Sequence, residues 1–201
     1  MWYARKFEIN KKSDENLFLY FGAVNYRCRV YLNGTLIGSH EGGFTPFQFN
    51  VTNVVKEGGN FLAVEVDNTR TADAIPALSF DWWNYGGITR DVMLVHTPKN
   101  YIRDYFIQLD KYDSDRVHAE VQLSAQNAGQ LVKIEIPELK IANKVFTDGT
   151  GLAKATFRVR NLERWSPQAP KLYQVIVSSE VDEVKENIGF RNLYVKIRRF
   201  I

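Results

Sequence analysis

The chain has 201 residues, 45% of them hydrophobic and 13% aromatic, which is ample for packed cores and excludes wholesale disorder. Its 26 basic and 23 acidic residues are interspersed and leave a net charge of +3, and the Arg-rich end at 196–199 is too short for a basic arm, so no nucleic-acid partner is indicated. A single cysteine, Cys28, excludes an intrachain disulfide and any metal site needing two Cys, and no run approaches the ~18 apolar residues of a membrane-spanning helix.

Period-2 patterning recurs along the chain, and no segment holds a helical period over about ten residues. Met1 runs directly into Trp2-Tyr3-Ala4-Arg5-Lys6-Phe7-Glu8-Ile9, which alternates like a strand and leaves no room for a signal peptide. In Tyr26–Leu32 the set Tyr26, Cys28, Val30 and Leu32 falls on one face and Arg27, Arg29 and Tyr31 on the other, so Cys28 reads as a small core residue rather than a nucleophile. Asn33-Gly34 follows, a hairpin signal because a type I′ turn needs positive φ at both central positions, and Leu36–His40 returns from it. Glu41–Phe47 and Lys56–Asn60 read as turns. The strands Phe47–Val51, Leu62–Val66 and Ile88–Val95 complete this half, and His96-Thr97-Pro98-Lys99-Asn100 reads as a linker.

The second half alternates in the same way. Tyr101–Leu109 is a strand; Val117, Ala119, Val121 and Leu123 face inward, as do Val132, Ile134 and Ile136. Thr147–Gly151 is a turn, Ala155, Phe157 and Val159 alternate with Arg158 and Arg160, and Leu172–Ser178 and Val184–Phe190 follow. About seven short strands in ~95 residues is the count of an immunoglobulin-like sandwich without its cysteines. The whole reads as two all-β domains joined near residue 98.

One stretch departs from this pattern. Phe80-Asp81-Trp82-Trp83-Asn84-Tyr85-Gly86-Gly87-Ile88-Thr89-Arg90-Asp91 crowds a carboxylate, an amide and three large aromatics into a loop before two glycines and a return to strand. Rings favour burial and polar groups need partners, so such a loop either presents a surface or plugs one end of a sandwich with Trp82 or Trp83. Gly86-Gly87 lets the chain turn sharply back.

Four motifs in order carry a resemblance. They are Trp2–Phe7; Val30-Tyr31-Leu32-Asn33-Gly34 with Gly42–Phe47; Asp81–Val92; and Trp165-Ser166-Pro167 with Pro170–Tyr173 and Ile188-Gly189-Phe190-Arg191. Together they resemble the two N-terminal β-domains of glycoside hydrolase family 2, the family of β-galactosidases, β-glucuronidases and β-mannosidases. The resemblance implies a jelly-roll (galactose-binding-like) sandwich over 1–98, lacking its first strands, an immunoglobulin-like sandwich over 99–195, and at 196–201 the start of a linker to an absent (β/α)₈ barrel. That barrel would hold two glutamates in a retaining mechanism, their carboxyls about 5–5.5 Å apart, and would take ~250 residues that the chain lacks. The expectation is a non-catalytic part of a β-glycosidase in carbohydrate metabolism, inactive alone, with no cofactor. The compartment stays open between periplasmic, secreted and cytoplasmic, because the resemblance places family residues ahead of Met1.

By the same resemblance, Asp81 reaches the barrel mouth and binds the terminal sugar or a monovalent cation, since a carboxylate accepts hydrogen bonds from two vicinal hydroxyls; the alternative is an Asp capping its own turn. Asn84 adds polar contacts at the rim or shapes the turn. Trp82, Trp83 and Tyr85 pack against the barrel or stack on sugar. No metal site is read from His40, His96 and His118, which sit on different strands. Glu41, Glu57 and Glu65 read as solvated charge; the sequons at Asn33 and Asn50 are formal glycosylation sites, with Asn33 in the tight hairpin and no secretion signal beside them. The partners expected are a β-glycoside, through the full-length enzyme, the absent barrel, and a second copy, because missing strands would leave sheet edges open. Two other readings are an autonomous carbohydrate-binding module and a sandwich-domain adhesion protein.

Overall fold

The computed structural model describes residues 1–75, 77–78 and 85–193. Among these the regular structure is β-strand throughout, apart from a single 3-10 turn at Pro137–Leu139. The chain divides into two compact units, Met1–Lys99 and Asn100–Ile201.

The first unit contains β1 (Trp2–Ile9), β2 (Glu15–Phe21), β3 (Val24–Asn25), β4 (Arg27–Leu32), β5 (Thr35–Glu41), β6 (Phe47–Asn50), β7 (Gly58–Asp67), β8 (Gly87–Ile88) and β9 (Val92–Pro98). One sheet runs β1-β7-β4-β5, a second β6-β2-β9, and a small ladder joins β3 to β8. Alternation decides the faces. In the β4–β7 register Cys28, Val30 and Leu32 lie opposite Val66, Val64 and Leu62, and these six side chains are buried against Leu17, Leu19 and Phe21 of the facing sheet. Burying each such Val or Leu contributes about 1.5–3 kcal/mol, against which the entropy of ordering the chain must be set. The alternate positions pair Arg27 with Asp67 and Arg29 with Glu65 on the outer face.

The β4–β5 hairpin turns on Asn33 at φ 54° and Gly34 at φ 84°. The Asn33 amide then ties the turn down. It donates to the Val54 carbonyl at 3.0 Å and to Asn60 Oδ1 at 2.8 Å, and accepts from the Phe61 N–H at 3.0 Å. Asn60 is 4% exposed and bonds back to Lys56, so the 56–60 turn and the hairpin share one polar knot.

Several elements differ from the sequence reading: Glu15–Phe21, not singled out there, forms β2, and β7 begins at Gly58, inside the expected turn 56–60. The expected strand 88–95 is broken at 89–91, where the chain bends around Gly22 and Ala23: Gly22 N–H donates to the Asp91 carbonyl and Thr89 N–H to the Ala23 carbonyl. Residues 96–98, read as linker, instead extend β9. Side chains hold them there: His96 Nδ1 lies 2.9 Å from Glu15 Oε2, and Asn16 Nδ2 donates to the Pro98 carbonyl at 2.9 Å.

The second unit has β10 (Ile102–Leu109), β11 (Arg116–Leu123), β12 (Leu131–Ile136), β13 (Ile141–Phe146), β14 (Leu152–Arg158), β15 (Tyr173–Ser178) and β16 (Glu183–Ile188). Sheets β10-β11-β14 and β13-β12-β15-β16 share one core, the three-plus-four arrangement of an immunoglobulin-like sandwich. Val117, Ala119, Val121, Val132, Ile134 and Ile136 are all 0% exposed. The motif around Trp165 is structural. A Cβ on Gly189 would fall 2.7 Å from the Trp165 ring, the Arg191 guanidinium sits 4.8 Å over that ring, and Trp165 N–H donates to the Phe190 carbonyl. Tyr173, 2% exposed, satisfies its hydroxyl by accepting from the Glu163 N–H at 2.8 Å.

Ile134→Ala is expected to destabilise the chain by about 2–5 kcal/mol in urea unfolding, because the site is closed on all sides. The Glu15 carboxyl is held below the usual range, first by the Lys12 N–H and then by His96. A carboxyl depressed in the folded state adds stability that is present above its unfolded value, about 4.3, and lost as pH falls through the folded one. Acid unfolding curves of Glu15→Gln are therefore expected to be flatter below about pH 4.3 than those of the unaltered chain.

Candidate functional site: the loop-bearing rim of the first domain

In chain order the aromatic loop lies between β7 and β8, so its stems are set by the strand ends at that rim. Tyr26 N–H donates to the Asp67 carbonyl at 3.2 Å, and Gly42 N–H to the Tyr26 carbonyl at 2.9 Å, which brings the ends of β4, β5 and β7 together. Asp67 Oδ1 accepts from the Thr69 N–H at 2.9 Å and from its hydroxyl at 2.6 Å. The Thr69 hydroxyl, then its N–H, holds the Asp67 carboxyl below the usual range. Arg27, raised by its bond to Glu41, adds a cation beside it, with Nε 3.0 Å from Glu41 Oε2. The outgoing stem is thus fixed by an Asx-type turn in which Asp67 caps its own chain.

The return is fixed by Asn25. This side chain on β3 is 2% exposed, and its amide donates to the Tyr85 carbonyl. Its backbone pairs with Gly87, and a Cβ on Gly43 would lie 2.6 Å from Asn25 Oδ1. The two glycines are both demanded by close approach. A Cβ on Gly86 would fall 2.2 Å from Asn68 Nδ2, and one on Gly87, at φ 109°, 2.4 Å from the Tyr3 hydroxyl. A carbon cannot occupy either place without displacing its neighbour.

Of the residues singled out in the loop, Asp81, Trp82, Trp83 and Asn84 lie outside the described residues. Tyr85 is 71% exposed, its ring at the surface and its carbonyl anchored. The rim's main internal anchor, Asn25, was not picked out by sequence reasoning, although an Asn ending the apolar run Phe21–Val24 is the signal that marks it.

The other candidates resolve into structural pairs. Glu41 binds Arg27, Glu65 lies 3.6 Å from Arg29, and Glu57 Oε2 accepts from the Lys11 N–H at 2.7 Å. His118 bridges Glu120 and Thr156, His96 meets Glu15, and His40 stacks on Phe47 at 4.0 Å. Among the described residues no three His, Cys, Asp or Glu side chains gather as a metal site. Cys28 is 4% exposed, and burial pushes its thiol up, away from nucleophilic use. Of the two sequon asparagines, Asn50 Oδ1 accepts from the Thr52 N–H at 3.0 Å in a local turn, while Asn33 fastens its hairpin to Val54, Asn60 and Phe61. What the rim offers chemically is a loop held at both stems, with a carboxylate and an Arg–Glu pair beside its exit.

Sequence comparison matches residues 1–98 to the profile described as glycosyl hydrolases family 2, sugar binding domain, and residues 100–191 to that described as glycosyl hydrolases family 2. The chain belongs to glycoside hydrolase family 2. It is 29% identical to a putative β-glucuronidase of Formosa agariphila, over 94% of this chain and 25% of the relative. It is 30% identical to a β-galactosidase of Thermoanaerobacter pseudethanolicus, over 94% of this chain and 27% of the relative. Among solved structures it resembles an uncultured Clostridium sp. β-glucuronidase, with TM-score 0.82 and 29% identity over 97% of this chain and 35% of that one. The chain thus spans about a quarter of the length of these curated relatives.

Gly87→Ala is expected to destabilise the first domain by about 1–3 kcal/mol, since the residue sits in backbone space that a side chain rarely enters and meets the Tyr3 hydroxyl. Denaturant unfolding of the variant measures it, and replacing Tyr3 by Phe in the same chain should recover the part due to the steric clash.

Proposed function

We propose that the two sandwiches act as the sugar-binding and immunoglobulin-like domains of a family 2 β-glycosidase whose substrate is a β-galactoside or a β-glucuronide, and whose catalytic carboxylates belong to a separate domain. The observation that carries this reading is the pair of family matches running in order along the chain, 1–98 then 100–191, with relatives named β-galactosidase and β-glucuronidase.

In this reading the rim is the edge of the sugar site. Asp81 accepts hydrogen bonds from two hydroxyls of the terminal sugar, Asn84 adds an amide contact, and Trp82, Trp83 and Tyr85 pack the loop against the catalytic domain. The fixed stems support this, because a sugar contact is useful only when its geometry is set before substrate arrives. Asp67 with Thr69 on one side and Asn25 with Tyr85 on the other provide that constraint. The surface position of the Tyr85 ring suits a docking aromatic.

The test uses an enzyme in which these domains are joined to the family's catalytic domain. Asp81→Ala is expected to lower kcat/KM on an aryl β-galactoside or β-glucuronide about 10²-fold, the effect of removing one charged substrate contact of ~2–3 kcal/mol. The 201-residue chain by itself is expected to hydrolyse neither. An unchanged kcat/KM for Asp81→Ala would remove the rim from the site; turnover by the chain alone would overturn the division of labour.

A further inference from the structure

We propose that Asn33 is a site of spontaneous deamidation, gated by opening of the β4–β5 hairpin, and that its product loosens the first domain. Asn33 is the only asparagine of the chain that a glycine follows. In the reaction the backbone nitrogen of Gly34 gives its proton to solvent base and attacks Cγ of Asn33. The bond from Cγ to Nδ2 breaks and ammonia leaves, closing a five-membered succinimide. Water then opens that ring at either carbonyl to aspartate or isoaspartate, so one water is consumed and one ammonia released. Glycine favours the first step because no side chain shields its nitrogen. Here Gly34 is exposed, and even an added Cβ would meet no atom within 4 Å, so solvent base reaches the nitrogen freely.

The folded hairpin ties up the reacting amide. Asn33 N–H donates to the Phe61 carbonyl at 2.8 Å, and Asn33 Oδ1 accepts from the Phe61 N–H at 3.0 Å. Asn33 Nδ2 donates both its hydrogens, to the Val54 carbonyl at 3.0 Å and to Asn60 Oδ1 at 2.8 Å. The carboxamide must give up all three side-chain bonds before Cγ can close on its own chain, so attack belongs to the opened hairpin. The chain's one Asp-Gly pair, Asp148-Gly149, is protected differently. Its carboxylate accepts from the Thr150 N–H at 2.8 Å, the Thr150 hydroxyl at 2.6 Å and the Leu152 N–H at 3.1 Å. Those bonds, the Thr150 hydroxyl first, hold it ionised below the usual range, and a carboxylate anion resists nucleophilic attack.

The product cannot remake the knot. An aspartate at 33 still accepts from the Phe61 N–H, but its second oxygen faces two acceptors, the Val54 carbonyl and Asn60 Oδ1, with no hydrogen to offer them. Asn60 cannot turn its amide over to help. It is 4% exposed, its Oδ1 accepts from the Lys56 N–H, and its Nδ2 donates to the Lys56 and Gly58 carbonyls. Repulsion therefore replaces two hydrogen bonds in a half-buried place. Isoaspartate does more harm, because it adds a methylene to the main chain of a two-residue turn whose twist is matched to its strands. Either product leaves the hairpin and the 56–60 turn without their common fastening, and the change runs one way.

Incubating the 201-residue chain in mildly alkaline buffer, folded and in guanidinium chloride, tests this by peptide mass mapping and isoaspartate methyltransferase labelling. In denaturant Asn33 is expected to convert ahead of every other asparagine and ahead of isomerisation at Asp148. In the folded chain its conversion is expected to slow on the order of tenfold or more, in step with the protection of the Phe61 N–H against hydrogen exchange. Asn60→Ala is expected to raise the folded rate, with circular dichroism melting to establish that the variant is folded; the comparison with hydrogen exchange needs no variant. Asn33→Asp, a residue that tolerates positive φ, is expected to lower the guanidinium midpoint of the first domain. Equal rates in the folded and unfolded chain overturn the gating. Earlier conversion of another asparagine in denaturant overturns the site, and an Asn33→Asp chain as stable as the original overturns the consequence.

Discussion

The pairing of β4 with β7 governs the first domain. It sets Cys28, Val30 and Leu32 against Val66, Val64 and Leu62 on the inner face, and Arg27 and Arg29 against Asp67 and Glu65 on the outer. Because side chains alternate with period 2, a slip of one residue would turn two arginines and two carboxylates into the core and three apolar pairs into water. The cost of burying charges is far larger than any packing gain the slipped register could offer. The register is therefore strongly specified, and with it the place where β7 ends and the long loop begins.

That end point fixes the outgoing stem of the rim loop. Asp67 is the last residue of β7 and uses its carboxylate to turn the chain through Thr69. The loop comes back through Tyr85, held by a buried amide, and through two glycines packed against Asn68 and the Tyr3 hydroxyl. Both stems are thus fastened to the sandwich itself. A contact residue carried on such a loop begins with part of its ordering entropy already removed by the fold.

The second domain follows the same logic with different fasteners. Its Trp165–Gly189–Arg191 cluster and the Tyr173 hydroxyl on Glu163 tie the 160s segment to the strands around it. Tyr105 reaches across to Glu186 of the opposite sheet, and its hydroxyl is pushed up to about 12, by burial first and then by that carboxylate. These are fixtures of a scaffold. The motif around Trp165 that carried the family resemblance in this half thus serves packing.

Much of this architecture is written in alternation. The inward set Cys28, Val30, Leu32, the Asn33-Gly34 turn and six of the seven strands of the second domain follow from period-2 patterning and turn chemistry, because each depends only on residues near in sequence, whereas β13 (Ile141–Phe146) was not singled out. The stretch 80–91 stood out in sequence because it sets three aromatics beside a carboxylate; its residues 81–84 lie outside the described residues. What sequence alone left undetermined was every feature made by residues far apart. Asn25 became an anchor only when β3 came to lie beside β8, some 60 positions on, and His96 to Pro98 became strand only because Glu15 and Asn16 waited on β2. Likewise, charges near an edge look the same in sequence whichever strand they sit on. Only the sheet order showed that β1, with Arg5, Lys6 and Glu8, lies beside β7, and that β9 lies beside β2. Local patterning determined most of the strands and their faces; the partners that close a loop or extend a strand were decided by tertiary structure, because those contacts are long-range.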